Sequence, residues 1–369
     1  MDGAKGAALP LIRHDLGLSY DQVGLLASVP LLAGGFLELP LGVLAGDGRR
    51  RLAILGGGVL FVLTLLAAAS ARSFAVLLAA FIAFYPASGA FVSLTQAELM
   101  DGWPGRQARA MARWDLAGSA GALAGPLLLT AVLAAGGSWR AGFLALALFA
   151  GLAWLGAGLR RAPAPAGAEA GEQQEPRPWN ERARETLVAL RTWQTLRWLL
   201  LIEVADLLVD VFTGFLALYL VDVVHLPPAV AALAIAIRLG AALAGDAALI
   251  AILERVGDLA GLRVSAAAAA LLYPAFLLVP GAVPKLAALA GLSAATATWY
   301  PVLQARLYGS LPGRSSVAVT LTSAAGLAGG LGPLAVGLAA QGLGLSWALA
   351  GLAVVPVAVL LVPGWPGRG

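Results

Sequence analysis

The sequence predicts an all-α, polytopic membrane protein of two parallel six-helix repeats, with eleven full spans present. Three observations predict it. Apolar residues make up 60% of the chain and charged residues only 12%, a ratio that suits lipid rather than water as the main solvent. The apolar residues fall into continuous runs near the ~20 residues that cross a bilayer, without the alternation of a transmembrane barrel. Finally, the chain repeats itself: the stretch from Gln96 to Arg106 (QAELMDGWPGR) is answered by the stretch from Gln304 to Arg314 (QARLYGSLPGR), at an offset of 208.

The expected spans cover residues 23–45, 52–70, 74–97, 116–135, 141–159, 198–221, 226–250, 262–280, 284–305, 316–341 and 345–363. All are expected to be helices, because lipid satisfies no free backbone group. Before the first of them lies a shorter apolar stretch, Gly6 to Ile12. At an offset of 207, Leu9 and Asp15 answer Leu216 and Asp222, so this stretch reads as the remnant of a first helix. The first half therefore covers residues 1–160. Residues 161–196 form a cytoplasmic linker rich in Pro, Ala and Glu at its start, where Asn180 is placed to cap an amphipathic helix. That helix reads as a tether on the inner leaflet, with a regulatory surface as the alternative. The second half covers residues 197–369 and holds six spans.

The repeat continues from Gly121 to Gly329 and from Ser138-Trp139 to Ser346-Trp347, slipping by one where Gly125-Pro126 meets Gly332-Pro333. Six helices per half make equivalent helices run the same way, the arrangement of parallel repeats about an axis along the membrane normal. Placing residues 49–51 in the cytoplasm puts 18 of the 24 Lys and Arg inside, as the positive-inside rule requires. The expected location is the inner, cytoplasmic membrane, with the C-terminus inside. The net charge of +4 is spread along loop ends, so nucleic acid is not an expected partner. With no Cys and only His14 and His225, neither metal nor cofactor is expected, and no phosphate-binding loop appears.

The segment from Gly42 to Arg51 (GVLAGDGRRR), together with two six-helix halves, resembles the major facilitator superfamily over essentially the whole chain. That family's signature is Gly, three residues, an acid, a base, any residue, Gly, then bases. Gly46 stands at the acid's place and the segment is one residue shorter, so the resemblance carries over to Gly42, Gly48, Arg50 and Arg51, with Arg49 beside them and Asp47 in the acid's role. It implies a gating loop that latches the halves, with Glu98 and Asp101 as partners; the alternative is a plain positive-inside anchor. Gly121, Gly125 and Pro126 resemble the Gly-x-x-x-Gly-Pro segment of the family's drug–proton antiporters, although Leu129 and Thr130 stand where paired glycines follow. Helix packing accounts for that motif as well.

Glu203, Asp206 and Asp210 recur at i, i+3 and i+7 in the seventh helix, within roughly 60° of one another on an ideal helix. Intramembrane carboxylates are costly unless paired, protonated or wet. Arg238 in the eighth helix is expected level with Asp210, and a buried Asp210–Arg238 pair is the cheapest arrangement, structural or functional. Asp246 is expected level with Glu203. Glu38, in the second helix, is a candidate proton site. By resemblance the fourth, seventh and tenth helices line a central cavity, which nominates Tyr85, Ser93, Asp206, Asp210, Trp299 and Tyr300 as solute-facing.

These readings point to a monomeric secondary transporter that moves a small-molecule solute through the lipid bilayer by alternating access, with efflux one direction and protons a candidate coupling ion. The competing class is an intramembrane enzyme acting on a prenyl diphosphate with magnesium on Asp206 and Asp210; its second acidic motif is missing. A third reading is a truncated chain that does not transport.

Overall fold

The computed structural model describes residues 2–44, 50–101, 107–159, 192–256, 258–311 and 315–361. It is all-helical, without a strand among the described residues. The chain divides into two compact units, Met1–Glu172 and Gln173–Gly369, the division falling inside the expected linker. The expected helix after Asn180 lies almost wholly outside the described residues.

In the first unit the helices are α1 (Asp2–Leu16), α2 (Tyr20–Leu44), α3 (Arg50–Ser70), α4 (Phe74–Ser88), α5 (Leu94–Asp101), α6 (Gln107–Ala134) and α7 (Trp139–Leu159). A π turn, Gly89–Ser93, joins α4 to α5. In the second unit they are α8 (Trp193–Asp206), α9 (Phe212–Leu218), α10 (Pro228–Val256), α11 (Asp258–Leu278), α12 (Ala282–Thr296), α13 (Trp299–Gly309), α14 (Ser315–Gly329), α15 (Gly332–Leu343), α16 (Leu345–Ala350) and α17 (Val354–Leu361). Here α8 and α9 are joined by the π turn Leu207–Val211, and a second π turn, Tyr219–Val223, follows α9.

Among the described residues, eight helices are long and apolar enough to cross a membrane, and Leu345–Leu361 is a shorter apolar one. The expected runs 23–45 and 198–221 fall on α2 and on the segment from α8 to the second π turn. The described parts of the expected spans fall on helices, and the eight long apolar helices leave the expected count of eleven unmatched.

The repeat reappears as repeated packing. In the first unit α2 packs on α4, α3 on α7, and α1 on α6; in the second α10 packs on α12, α11 on α17, and α8 on α14. Small residues make these approaches possible, since helices in lipid associate by close packing rather than by a hydrophobic drive. A Cβ on Gly34 would collide with Tyr85, and one on Gly245 would lie 2.5 Å from the Ala294 carbonyl. Gly125 faces Ala4, and Gly332 faces Val211 and Leu207. The offset of 207 that aligns Leu9 with Leu216 also aligns Ala4 with Val211, so one contact is built twice. Of the motif Gly121, Gly125, Pro126, the last two meet α1 at Ala4 and Gly3, whereas Gly121 faces open space.

Polar anchors fix the helix ends. Asp15 pairs with Arg140 and accepts from Trp139 Nε1 at 3.2 Å, while Arg140 also donates to the Ala71 carbonyl at 2.9 Å. Tyr273, fully buried, donates to the Leu349 carbonyl at 2.6 Å. Lys285 is 3% exposed. Its ammonium donates to the carbonyls of Phe276 (2.5 Å) and Leu277 (3.1 Å) at the end of α11 and lies over the Tyr219 and Phe276 rings. A helix C-terminus and two ring faces together hold the cation without an acid.

Candidate functional site

The polar residues of the second unit gather where α8, its π turn and α13 pack together. Asp206 closes α8 and Asp210 lies in the π turn Leu207–Val211. That turn changes the expected geometry. Because it bonds over five residues, less angle accumulates per residue, and the three acids span roughly 90° of the helix instead of roughly 60°. Glu203 and Asp206 are half-buried and Asp210 is exposed.

Glu203 lies against α14. A Cβ on Gly329 would collide with its Oε2, so the carboxyl occupies the space that a glycine leaves. That oxygen is buried and has no hydrogen-bond donor among the described residues.

Arg238 is 7% exposed, and its Nη2 donates to the Val209 carbonyl inside the π turn. Asp210 lies within electrostatic reach of the same guanidinium. The two helices are thus tied here through the Val209 carbonyl, and of the two charged residues only the arginine is buried: the carboxylate is open. Asp246 is exposed beside Gly245, whose backbone approaches α12.

On α13 the two nominated aromatics separate. Trp299 is fully buried, and its Nε1 donates to Ser265 Oγ at 3.0 Å. Ser265 also accepts from Thr298 at 3.1 Å and donates to the Leu262 carbonyl at 2.9 Å. Trp299 is a packing anchor on α11 and is not solute-facing. Tyr300 is 48% exposed, and its hydroxyl accepts from Gln304 Nε2 at 3.0 Å. It lies within electrostatic reach of Asp206 and Asp210. The structure therefore brings together Asp206, Asp210, Tyr300 and Gln304: two carboxylates, a ring and an amide. Such a set can hold a polar or cationic group by charge and by the ring face.

In the first unit, Tyr85 is half-buried over Gly34, and Ser93 is exposed at the end of the π turn Gly89–Ser93. Glu38, Gly42, Arg50 and Asp101 lie on helices, but their side chains fall outside the described residues. Asp47, Gly48 and Arg49 lie outside them altogether, and Glu98 is half-buried. Arg51 Nη2 donates to the Gly158 carbonyl at 3.2 Å. This arginine joins the start of α3 to the end of α7, a helix C-terminus that favours a cation.

Among the described residues no group of three or more His, Asp or Glu is arranged to hold a metal ion.

The Major Facilitator Superfamily family model matches residues 3–309. No curated protein matches the sequence. Among solved structures, a bacterial homologue of the human lysosomal transporter Spinster, inward-facing and unoccupied, superposes with a TM-score of 0.76 at 15% identity, covering 98% of this chain and 93% of the other. Nucleoside transporter NupG superposes with a TM-score of 0.76 at 12% identity, covering 99% and 96%. A D-xylose–proton symporter gives a TM-score of 0.70 at 15% identity, covering 99% and 95%. At these identities the likeness is one of fold.

Proposed function

We propose that this chain, which belongs to the Major Facilitator Superfamily, is a secondary active transporter that moves a small solute across the cytoplasmic membrane by alternating access. The observation that carries the reading is the polar set of half-buried Asp206, exposed Asp210, Tyr300 and Gln304 on helices of the second unit. Exposed intramembrane carboxylates are expensive and mark solute or ion pathways, and parallel repeats rocking about a midplane site are the family's way of using them. Ser93 and Tyr85 are the first unit's counterparts in this reading. Protons are the coupling ion we assign, with Glu38 and Glu203 as carriers, and export is the direction. The loop Asp47–Arg51, with Glu98 and Asp101, is the proposed cytoplasmic latch. The distribution of Lys and Arg supports a cytoplasmic C-terminus, and one chain carrying both repeats suffices as a monomer.

An enzyme reading needs a second acidic motif beside Asp206 and Asp210, and Asp246 stands alone in its span. The test is flux in proteoliposomes under an imposed proton gradient. The probes are ethidium, chosen for the carboxylates and the ring, and a nucleoside and a pentose, chosen from the structural neighbours. Gradient-dependent flux of one of these, reduced about tenfold by Asp206→Asn or Asp210→Asn, is expected, the equivalent of one lost charge contact. Flux that ignores both substitutions would overturn the site, and no gradient-dependent flux of any probe would overturn the function.

A further inference from the structure

We propose that Arg238 is a positioning residue that fixes the register of the seventh helix by holding the π turn between Asp206 and Asp210. The proposal rests on the reading of those acids as solute-facing.

A π turn is one extra residue accommodated in a helix. In this one the Phe212 N–H reaches back five residues to the Leu207 carbonyl. Carbonyls displaced from the regular ladder need other donors, and lipid offers no water. Val209, in the middle of the turn, receives two: Thr213 Oγ1 from four residues on, and Arg238 Nη2 from α10. The fourth helix provides an internal comparison. Its π turn, Gly89–Ser93, has the same threonine device, with Thr95 Oγ1 donating to the middle carbonyl, Phe91, at 2.5 Å. A threonine four residues on is thus common to both turns, and the guanidinium is the addition in the seventh helix. The eleventh helix closes the other side, where Gly332 leaves room for Val211 and Leu207.

The addition has a consequence that a hydroxyl alone lacks. Arg238 is buried, and the charge facing it is that of exposed Asp210, which lies inside the turn. A cationic solute drawn to Asp210 competes with Arg238 for that charge and loosens its hold on Val209. If the turn relaxes to an α turn, every residue beyond it rotates by about 100° and shifts by about 1.5 Å. Occupancy of the acid is then read by the register of the whole outer half of the helix.

The chain has no Cys, so single cysteines at positions 212 and 214 report register directly. In the full-length parent in detergent, position 212 is buried and position 214 half-buried, so a polar maleimide is expected to label 214 and spare 212. In Arg238→Gln the α register brings position 212 to the face held by 213, and the pattern is expected to shift by one residue: 212 labels and 214 is spared. Arg238→Lys, which keeps a charged donor on a side chain longer than glutamine's, is expected to restore the parental pattern. Asp210→Asn, at an exposed position, is expected to shift it partway and serves if Arg238→Gln cannot be purified. An unchanged pattern in Arg238→Gln, or in Asp210→Asn where it stands alone, would overturn the proposal. Labelling is measured without a solute, so loss of transport in the flux assay and loss of register are separate results.

Discussion

Alanine at Gly245 and alanine at Gly240 are expected to have opposite effects, although both glycines lie on α10. At Gly245 an added methyl would lie 2.5 Å from the Ala294 carbonyl oxygen and 2.8 Å from its Cα. Those are backbone atoms of α12 and cannot swing aside, so the helices must part by nearly 1 Å. A gap of that size forfeits a quarter to a half of each dispersion contact along the seam, and overpacking against a rigid neighbour reaches about 3 kcal/mol. Replacing Gly by Ala within a helix returns up to about 1 kcal/mol, which leaves a net loss of about 2 kcal/mol. At Gly240 nothing lies within 4 Å of the same methyl, and only the gain of up to about 1 kcal/mol remains. The assay is unfolding of the purified protein in mixed micelles by a titrated denaturing detergent, followed by tryptophan fluorescence. The two variants should differ by about 3 kcal/mol, with the parent between them. If they unfold together, α10 and α12 do not approach at Gly245, and the packing argument for the second unit fails.

Three further outcomes follow from the anchors. Tyr273→Phe removes the 2.6 Å bond to the Leu349 carbonyl and should cost about 1–3 kcal/mol in the same titration, whereas Tyr300→Phe, at an exposed ring, should leave stability unchanged. Lys285→Met strands the Phe276 and Leu277 carbonyls and should cost about 2–3 kcal/mol, a bond to a charged donor being the stronger kind; stability equal to the parent's would mean that the ammonium reaches water instead. Cysteine at Gly48 should react with an impermeant thiol reagent only from the cytoplasmic side, and labelling from outside intact cells would invert the proposed topology.

Helix positions and the duplication were legible in the sequence because both depend on local apolarity and on paired rare residues such as Gln96 and Gln304. The facing of those helices was less so. In a span apolar all round, periodicity cannot distinguish the buried face from the open one, which is why Trp299 read as solute-facing and proved to be a fully buried donor to Ser265. The acids of the seventh helix were visible, but their angular spread was not, since a π turn has no residue signature and arises from what packs against it: Arg238 on one side and Gly332 on the other. The burial of Lys285 was not legible, because charge alone suggests water, whereas the carbonyls that hold it belong to a helix end known only once α11 and α12 are packed.

The anchors described in the first unit are all made by residues up to 159: Asp15 with Arg140, Ala4 with Gly125, Arg51 with Gly158. On a ribosome adding ~5–20 residues each second, the remaining residues 173–369 take about 10–40 s to appear. The first unit therefore has that long to finish its packing, and to be inspected by the cell's proteases, before its homologous twin exists. A flaw at Gly125 is exposed early and alone, while the same flaw at Gly332 arises in a chain already half folded. Equal losses of stability at these twin sites should give unequal yields of protein in the membrane.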